Sequence, residues 1–336
     1  MLQERKCNVN QDFMKQIPEY FNEQLKTQTT KINALKKDAA FFYITDLHVH
    51  DNAFVSVPLI KRVAKLTGDD KLISGGDYAY AFGTDKECID DTINSLKYLS
   101  EVKPEVKFYS VRGNHDITAR HTRTSETGYT HPKTETDKII LSENSPVTAM
   151  MPNESCYFVD DESEKMRYVV INTSDTQSDD KGKFWGVNYS VSEVQVKWLA
   201  ENAFKFKDGV EGWGILVFGH TQISSIMEEP YDMMKNINNL LIAVKNKQKC
   251  AFGNFSDLKA ELVAYIHGHI HLDKSVVDGG VLHVSVGPDA YYNDDIYKRV
   301  KGTVTETLFS VFSVDKSARK LYETRFGAGE DHEYDY

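Results

Sequence analysis

Five polar motifs, each placed where a short apolar run stops, constrain this 336-residue chain more than any other feature. They are Asp46-Leu47-His48, Gly76-Asp77, Gly113-Asn114-His115-Asp116, Gly219-His220 and Gly268-His269-Ile270-His271. The runs before them, such as Phe41-Phe42-Tyr43-Ile44-Thr45 and Ile215-Leu216-Val217-Phe218, are too short for helices. They are rich in aromatic or β-branched side chains and read as buried strands. Similar runs lie at 71–74, 106–111, 168–171, 262–266 and 281–286. Helix candidates fall between several of them, at Val57–Leu66, Asp85–Leu99 and Val191–Phe204. Such alternation predicts an α/β architecture, whose ligand sites favour the loops at the carboxyl ends of strands.

The motifs supply carboxylate, imidazole and amide donors enough for two metal ions, and paired cations are a recurring device for cleaving phosphate esters. Gly76, Gly113, Gly219 and Gly268 permit the tight turns and close backbone approach that an ion or phosphate needs. Taken singly, each position has a structural explanation. Asp46 and Asp77 could cap helices, Asn114 could shape a turn, His220 could be a hydrogen-bonded core residue, and His269 and His271 could flank a bend. Their ordered recurrence favours a metal centre.

Composition bounds the reading. A chain that is 40% hydrophobic and 27% charged can bury a substantial core, and motifs spread from residue 46 to residue 271 require one fold to gather them. A net charge of −10 argues against nonspecific attraction to nucleic acid or anionic membrane. Cys7, Cys88, Cys156 and Cys250 show no CxxC spacing and suit reduced thiols. With a polar opening Met1-Leu2-Gln3-Glu4-Arg5-Lys6 and no apolar run of membrane-spanning length, the expected location is the cytoplasm and no membrane partner is expected.

In their residues and order the five motifs resemble the signature of the calcineurin-like metallophosphoesterases, over roughly residues 40 to 326. The resemblance implies a two-sheet sandwich flanked by helices (αββα) and hydrolysis of phosphoric esters. It assigns one metal to Asp46, His48 and His271, a second to Asn114, His220 and His269, and makes Asp77 the bridge. Divalent or mixed-valence Mn, Fe, Zn or Ni would suit these nitrogen and oxygen donors. A hydroxide held between the ions would attack phosphorus in line. His115 would stabilise the transition state or protonate the leaving alkoxide, and Asp116 would orient its imidazole. The expected substrate is a small phosphodiester or phosphomonoester. A nuclease is the alternative, and a noncatalytic binding protein on the same fold is the weaker rival. Gly76-Asp77-Tyr78-Ala79-Tyr80 also matches the Gly-Asp-x-x-Tyr element of purple acid phosphatases, where the tyrosine binds ferric iron. Because this chain keeps His48, Tyr80 is expected to be a pocket wall or packing residue.

The remaining segments are appendages. Residues 1–38 read as an N-terminal helical extension, with Phe13, Ile17, Phe21 and Leu25 on one face and an interruption near Pro18. The phosphoesterase domain is expected over 39–327, with insertions at about 117–156 and 221–260. The first insertion carries Arg120, Arg123, Tyr129, His131 and Lys133. The second has Met233, Met234, Ile237, Leu240, Leu241 and Val244 at helical spacing, suited to core packing or to a cap over the pocket. His121, His131 and His283 match no motif and are expected to be solvated or to pack. Runs 308–314 and 320–326 predict a hairpin, and 328–336 a solvated acidic tail.

Overall fold

The computed structural model describes residues 17–49, 53–80, 85–116, 133–175, 189–207, 210–225, 234–290 and 296–336. The apolar runs are strands. In chain order they are β1 (Ala39–Ile44), β2 (Lys71–Ser74), β3 (Lys107–Ser110), β4 (Ala149–Met150), β5 (Tyr157–Asp161), β6 (Met166–Val170) and β7 (Gly214–Phe218). After these come β8 (Lys249–Cys250), β9 (Gly253–Asn254), β10 (Glu261–His267), β11 (Lys274–Asp278), β12 (Val281–Ser285), β13 (Leu308–Asp315), β14 (Lys320–Gly327) and β15 (His332–Asp335). Helices α1 (Asn22–Ala34), α2 (Ala53–Thr67), α3 (Asp85–Ser100), α4 (Lys133–Leu141), α5 (Glu193–Trp198) and α6 (Lys235–Lys245) lie between them.

Two mixed sheets result. The first runs β15-β14-β13-β1-β2-β3, with β1, β2 and β3 parallel and β13 antiparallel to β1. The second runs β11-β12-β10-β7-β6-β5-β4, with a parallel centre of β12, β10, β7 and β6. Strands β8 and β9 form a small separate ribbon. Strand β1 is buried along its whole length, which explains why its sequence is a continuous apolar run rather than an alternating one.

Three apolar layers hold the sheets and helices together. Phe41, Tyr43, Phe218 and Phe312 fill the space between the sheets, where the Phe41 and Phe218 rings meet edge to face at 5.3 Å. Phe42, Leu72 and Phe108 face outward to pack with Ile60 and Val63 of α2 and Leu96 of α3. On the other sheet Ile215, Val217 and Leu262 pack with Val196 of α5 and Ile237, Leu240, Leu241 and Val244 of α6. The fold is therefore the expected two-sheet sandwich flanked by helices.

The helix expected near 233–244 belongs to this core, its apolar face spent on the second sheet rather than on a cap. Met233, the residues of the first insertion at 117–132, and Phe13 lie outside the described residues. The helix expected over 191–204 begins at Glu193, where the Ser192 hydroxyl accepts the Gln195 N–H, and closes in a π-helical turn at Leu199–Ala203. After Pro18 a short 3₁₀ turn ending at Phe21 leads into α1, and Phe21 with Leu25 and Ile32 of α1 joins the core with Phe309, Val311 and Phe326.

The tail expected to be solvated is instead an ordered edge strand. Strand β15 pairs antiparallel with β14, half-burying His332 and Tyr334 and leaving Glu333 and Asp335 exposed. The acidic count hid this two-residue alternation. Lys320 then meets Glu333 at 2.7 Å and Asp335 at 2.8 Å.

Candidate metal centre

All seven expected ligands follow carboxyl ends of strands, three loops coming from the first sheet and two from the second. Asp46 and His48 follow β1, Asp77 follows β2, Asn114 follows β3, His220 follows β7, and His269 and His271 follow β10. The sandwich brings these loops together at one end. Donor atoms of Asp46, His48 and His271 lie within 4.8 Å of one another, as do those of Asp77, His220 and His269. His48, Asp77 and His115 form a third such group, so Asp77 and His48 each belong to two.

The backbone is bent to achieve this. Asp46, His48, Asp77, His269 and His271 all have φ between 45° and 69°, as does Val49. Left-handed geometry costs a residue with a side chain roughly 1–2 kcal/mol, and such strain clusters at functional sites. Close approach demands glycine between the loops. A Cβ on Gly113 would stand 2.2 Å from Asp77 Oδ1, and one on Gly268 2.3 Å from Asp46 Oδ2.

Each carboxylate is divided in its use. Asp46 Oδ2 accepts from the Thr45 hydroxyl at 2.8 Å and the His269 N–H at 3.1 Å. Its Oδ1 faces His271 Nε2 at 3.2 Å, with His48 Nε2 at 3.8 Å and His220 Nε2 at 3.9 Å. Asp77 Oδ1 accepts the His115 N–H at 2.8 Å, while Oδ2 faces His220 Nε2 at 3.1 Å and His48 Nε2 at 3.8 Å. The imidazoles are oriented from behind. His48 Nδ1 is 3.0 Å from the Ala79 carbonyl and His220 Nδ1 is 2.8 Å from that of Gly75, which turns both Nε2 atoms inward.

The charge balance follows from this packing. Burial would raise Asp46, but His271 and His220 outweigh it and hold its carboxyl well below the usual range. Asp77 is likewise held low, by His220 and His115 against burial. Burial pushes His48 and His269 down to about 4. For His220 the neighbouring Asp77 and Asp46 override burial and lift it to about 10; Asp46 also raises His271. Carboxylates and imidazoles thus offset one another's charge, and a divalent cation would compete with protons for the same donors.

One buried atom tests whether the set suits a metal. Asn114 Oδ1 has no hydrogen-bond partner, while His220 Nε2 faces Asp77 Oδ2 at 3.1 Å. A buried amide oxygen left unpaired is costly unless a cation uses its lone pairs. The donor set suits a metal ion.

His115 and Asp116 part company. His115 is partly exposed at the rim, its Nδ1 3.2 Å from the Tyr80 carbonyl and its Nε2 3.9 Å from Asp77 Oδ2. Asp116 does not take the expected role of orienting that imidazole. Its Oδ2 accepts the N–H groups of Asp77 at 3.0 Å and Gly113 at 2.7 Å, and its Oδ1 those of Tyr78 at 2.7 Å and Ala79 at 3.3 Å. It is a clamp between two ligand loops, lifted to about 6 by burial and by Asp77. The sequence reading missed it because all but one of these donors lie 37–39 positions away.

Other neighbours carry no motif. The Tyr80 ring stands edge-on to His48 at 6.0 Å, as a wall of the site. Tyr189 meets His269 edge-on at 4.8 Å, a contact that no spacing in the sequence signals. His283 is fully buried beside Tyr265, in keeping with a packing role. Residues Arg120, Arg123, Tyr129, His121 and His131 lie outside the described residues. A cavity of about 910 Å³ lies elsewhere, against α2, lined by Ile17, Lys61, Arg62, Glu101 and Glu105 among others, none of them a ligand candidate.

Residues 40–273 match the family model described as calcineurin-like phosphoesterase. Comparison with curated proteins gives no match. Among solved structures, the chain is similar to GAP50, described as the anchor in the inner membrane complex of Plasmodium, at 15% identity over 88% of each chain with a TM-score of 0.49. It is also similar to phosphopantetheinyl hydrolase from Mycobacterium tuberculosis, at 14% identity over 76% of this chain and 91% of that one, TM-score 0.38. Zinc-complexed Vps29 from Entamoeba histolytica is similar at 10% identity, covering 88% and 97%, TM-score 0.32.

Proposed function

Since the chain belongs to the calcineurin-like phosphoesterase family, we propose that it is a two-metal hydrolase acting on a small phosphodiester or phosphomonoester. The observation that carries this reading is the convergence of Asp46, His48 and His271, and of Asp77, His220 and His269, into two close donor groups beside the buried and unpartnered Asn114 Oδ1. Asp46, His48 and His271 would hold one ion, and Asn114, His220 and His269 the other, with Asp77 shared. Nitrogen and oxygen donors without thiolate suit Mn, Fe, Zn or Ni. Bound there, a pair of divalent ions acidifies water and neutralises the charge of an in-line displacement at phosphorus.

The protein's own groups do the rest. His115 Nδ1, set against the Tyr80 carbonyl, leaves Nε2 to deliver a proton to the departing alkoxide. Thr45 and the His269 N–H hold Asp46, and the His115 N–H holds Asp77, so both carboxylates keep one oxygen aimed inward. Asp116 keeps the Asp77 and Gly113 loops at fixed separation. The net charge of −10 disfavours a long polyanionic substrate. Among the described residues, no helix is long and apolar enough to cross a membrane.

The test is a substrate screen of metal-reconstituted protein. p-Nitrophenyl phosphate, its bis ester, cyclic nucleotides and single-stranded nucleic acid are compared, with Asp77→Asn as control. Turnover of a small ester that disappears in the control is expected. Turnover confined to nucleic acid and collapsing with added salt would replace the reading with a nuclease. Equal turnover in the control would end the metal assignment.

A further inference from the structure

We propose that Arg325, on the C-terminal hairpin, is a positioning residue for the metal ligand His271; the inference rests on the two-metal reading above. Arg325 is 1% exposed and lies in β14, beyond the segment that matches the family model. Its Nη2 donates to Asp273 Oδ1 at 2.7 Å and to Glu323 Oε1 at 2.6 Å, while Nε and Nη1 have no partner. Burying an ion cluster with donors left unpaired is poor stabilisation, since apolar side chains of equal volume are often as good or better. What the cluster does secure is place.

Asp273 stands two residues after His271. Besides Arg325, its Oδ1 accepts the Gly287 N–H at 2.9 Å, and its own N–H donates to the Tyr297 hydroxyl at 2.8 Å. Glu323 is itself fixed, accepting from the Ser310 hydroxyl at 2.7 Å and the Tyr334 hydroxyl at 2.8 Å. The main chain of Arg325 joins in, its N–H bonded to Asp331 at 2.7 Å. Arg325 therefore ties the loop bearing His271 to β13, β14 and β15 at once.

His271 needs such an anchor more than the fully buried ligands do. Its side chain is 35% exposed, whereas those of Asp46 and His220 are fully buried, so packing fixes less of its orientation. Its backbone is left-handed at φ 56°, a geometry the loop holds only under constraint. Two carboxylates converging on the one nitrogen Nη2 hold Asp273 by charge-assisted hydrogen bonds, the strong and directional kind.

The experiment titrates chelator-stripped protein with Mn²⁺ by calorimetry and records the thermal midpoint of each variant. Wild type should take up two ions. Arg325→Met should bind one of them about 10-fold or more weakly and the other unchanged, the loss typical of removing an outer partner of a ligand. Arg325→Lys should recover part of that loss. Asp273→Asn keeps the shape of the loop and should give a milder form of the same one-ion defect, which decides the matter if Arg325→Met does not fold. Two ions bound as tightly as in wild type, even with a lowered thermal midpoint, would mean an ordinary structural ion pair and overturn the proposal. Equal weakening of both ions would overturn it too. Wild-type protein that takes up no Mn²⁺ removes the metal reading itself, a result seen before any variant is made.

Discussion

Strand β2 carries a charged cluster at each end, and the two could hardly differ more. At its start, Lys71 Nζ sits 2.7 Å from Asp70, 2.9 Å from Asp161 and 3.1 Å from Glu164, with only 3% of its side chain exposed. Oxygens of those three acids lie within 4.8 Å of one another, close enough to hold an ion. The lysine ammonium already occupies that role. Beyond the strand's other end, Asp77 faces imidazoles, next to a buried amide oxygen that nothing satisfies. A cation built into the chain makes a closed structural joint. A cluster whose donors outnumber its internal partners is one built for a cation from solution.

Changing one group at each end should separate the two. The largest effect is expected for His115→Ala, which should slow turnover by about 10²–10⁴-fold while ion content by elemental analysis stays at the wild-type value. A fall in ion content would move His115 into the ligand set. Lys71→Met should cost about 1–3 kcal/mol in urea unfolding, because it leaves three half-buried carboxylates without their buried cation, yet leave turnover of the folded protein unchanged.

That cost should depend on pH. Opposed by burial, bonds to Ser163 and Lys71 hold Asp161 below the ordinary carboxylate range, and those to Lys71 and Lys107 do the same for Asp70. Folded-state pKa values lower than unfolded ones give stability present above about pH 4 and lost as pH falls further. Glu164, raised by burial, works the other way and trims the effect. Wild type should therefore lose part of its advantage over Lys71→Met as the medium is acidified. An advantage that does not change with pH would contradict the assigned pairing.

The smallest effect comes from ligand linkage. Mn²⁺ at about three times its dissociation constant should stabilise the fold by about 0.8 kcal/mol for each site filled, measured as the shift in urea midpoint. Lys71→Met should keep this gain and Asp77→Asn should lose it. A gain lost in both would mean that the closed cluster also shapes the open one.

The candidate centre was legible because each ligand sits in a short motif at a strand end, where residue type and neighbouring glycine are local facts. Strand positions were legible for the same reason, since burial on both faces writes an uninterrupted apolar run such as 41–45. What escaped depends on distance along the chain. Asp116 looks like the end of a motif, yet its carboxylate serves backbone groups of the Asp77 loop. Arg325 has no sequence neighbour among the ligands, and Lys71 reads as the polar start of a strand until Asp161 and Glu164 arrive from β5 and the turn after it. In β15 the acidic composition spoke louder than the alternation of His332 and Tyr334.

The four amide bonds to Asp116 have a practical corollary. Because they join the crossing after β2 to the crossing after β3, a replacement such as Asp116→Ala would let both segments drift together and carry Asp77 and Asn114 with them. A survey of variants scored by activity alone would then rank Asp116 beside the reacting groups, although its carboxylate binds main-chain amides rather than the His115 ring. Separating support from chemistry at this position calls for recording ion uptake alongside rate.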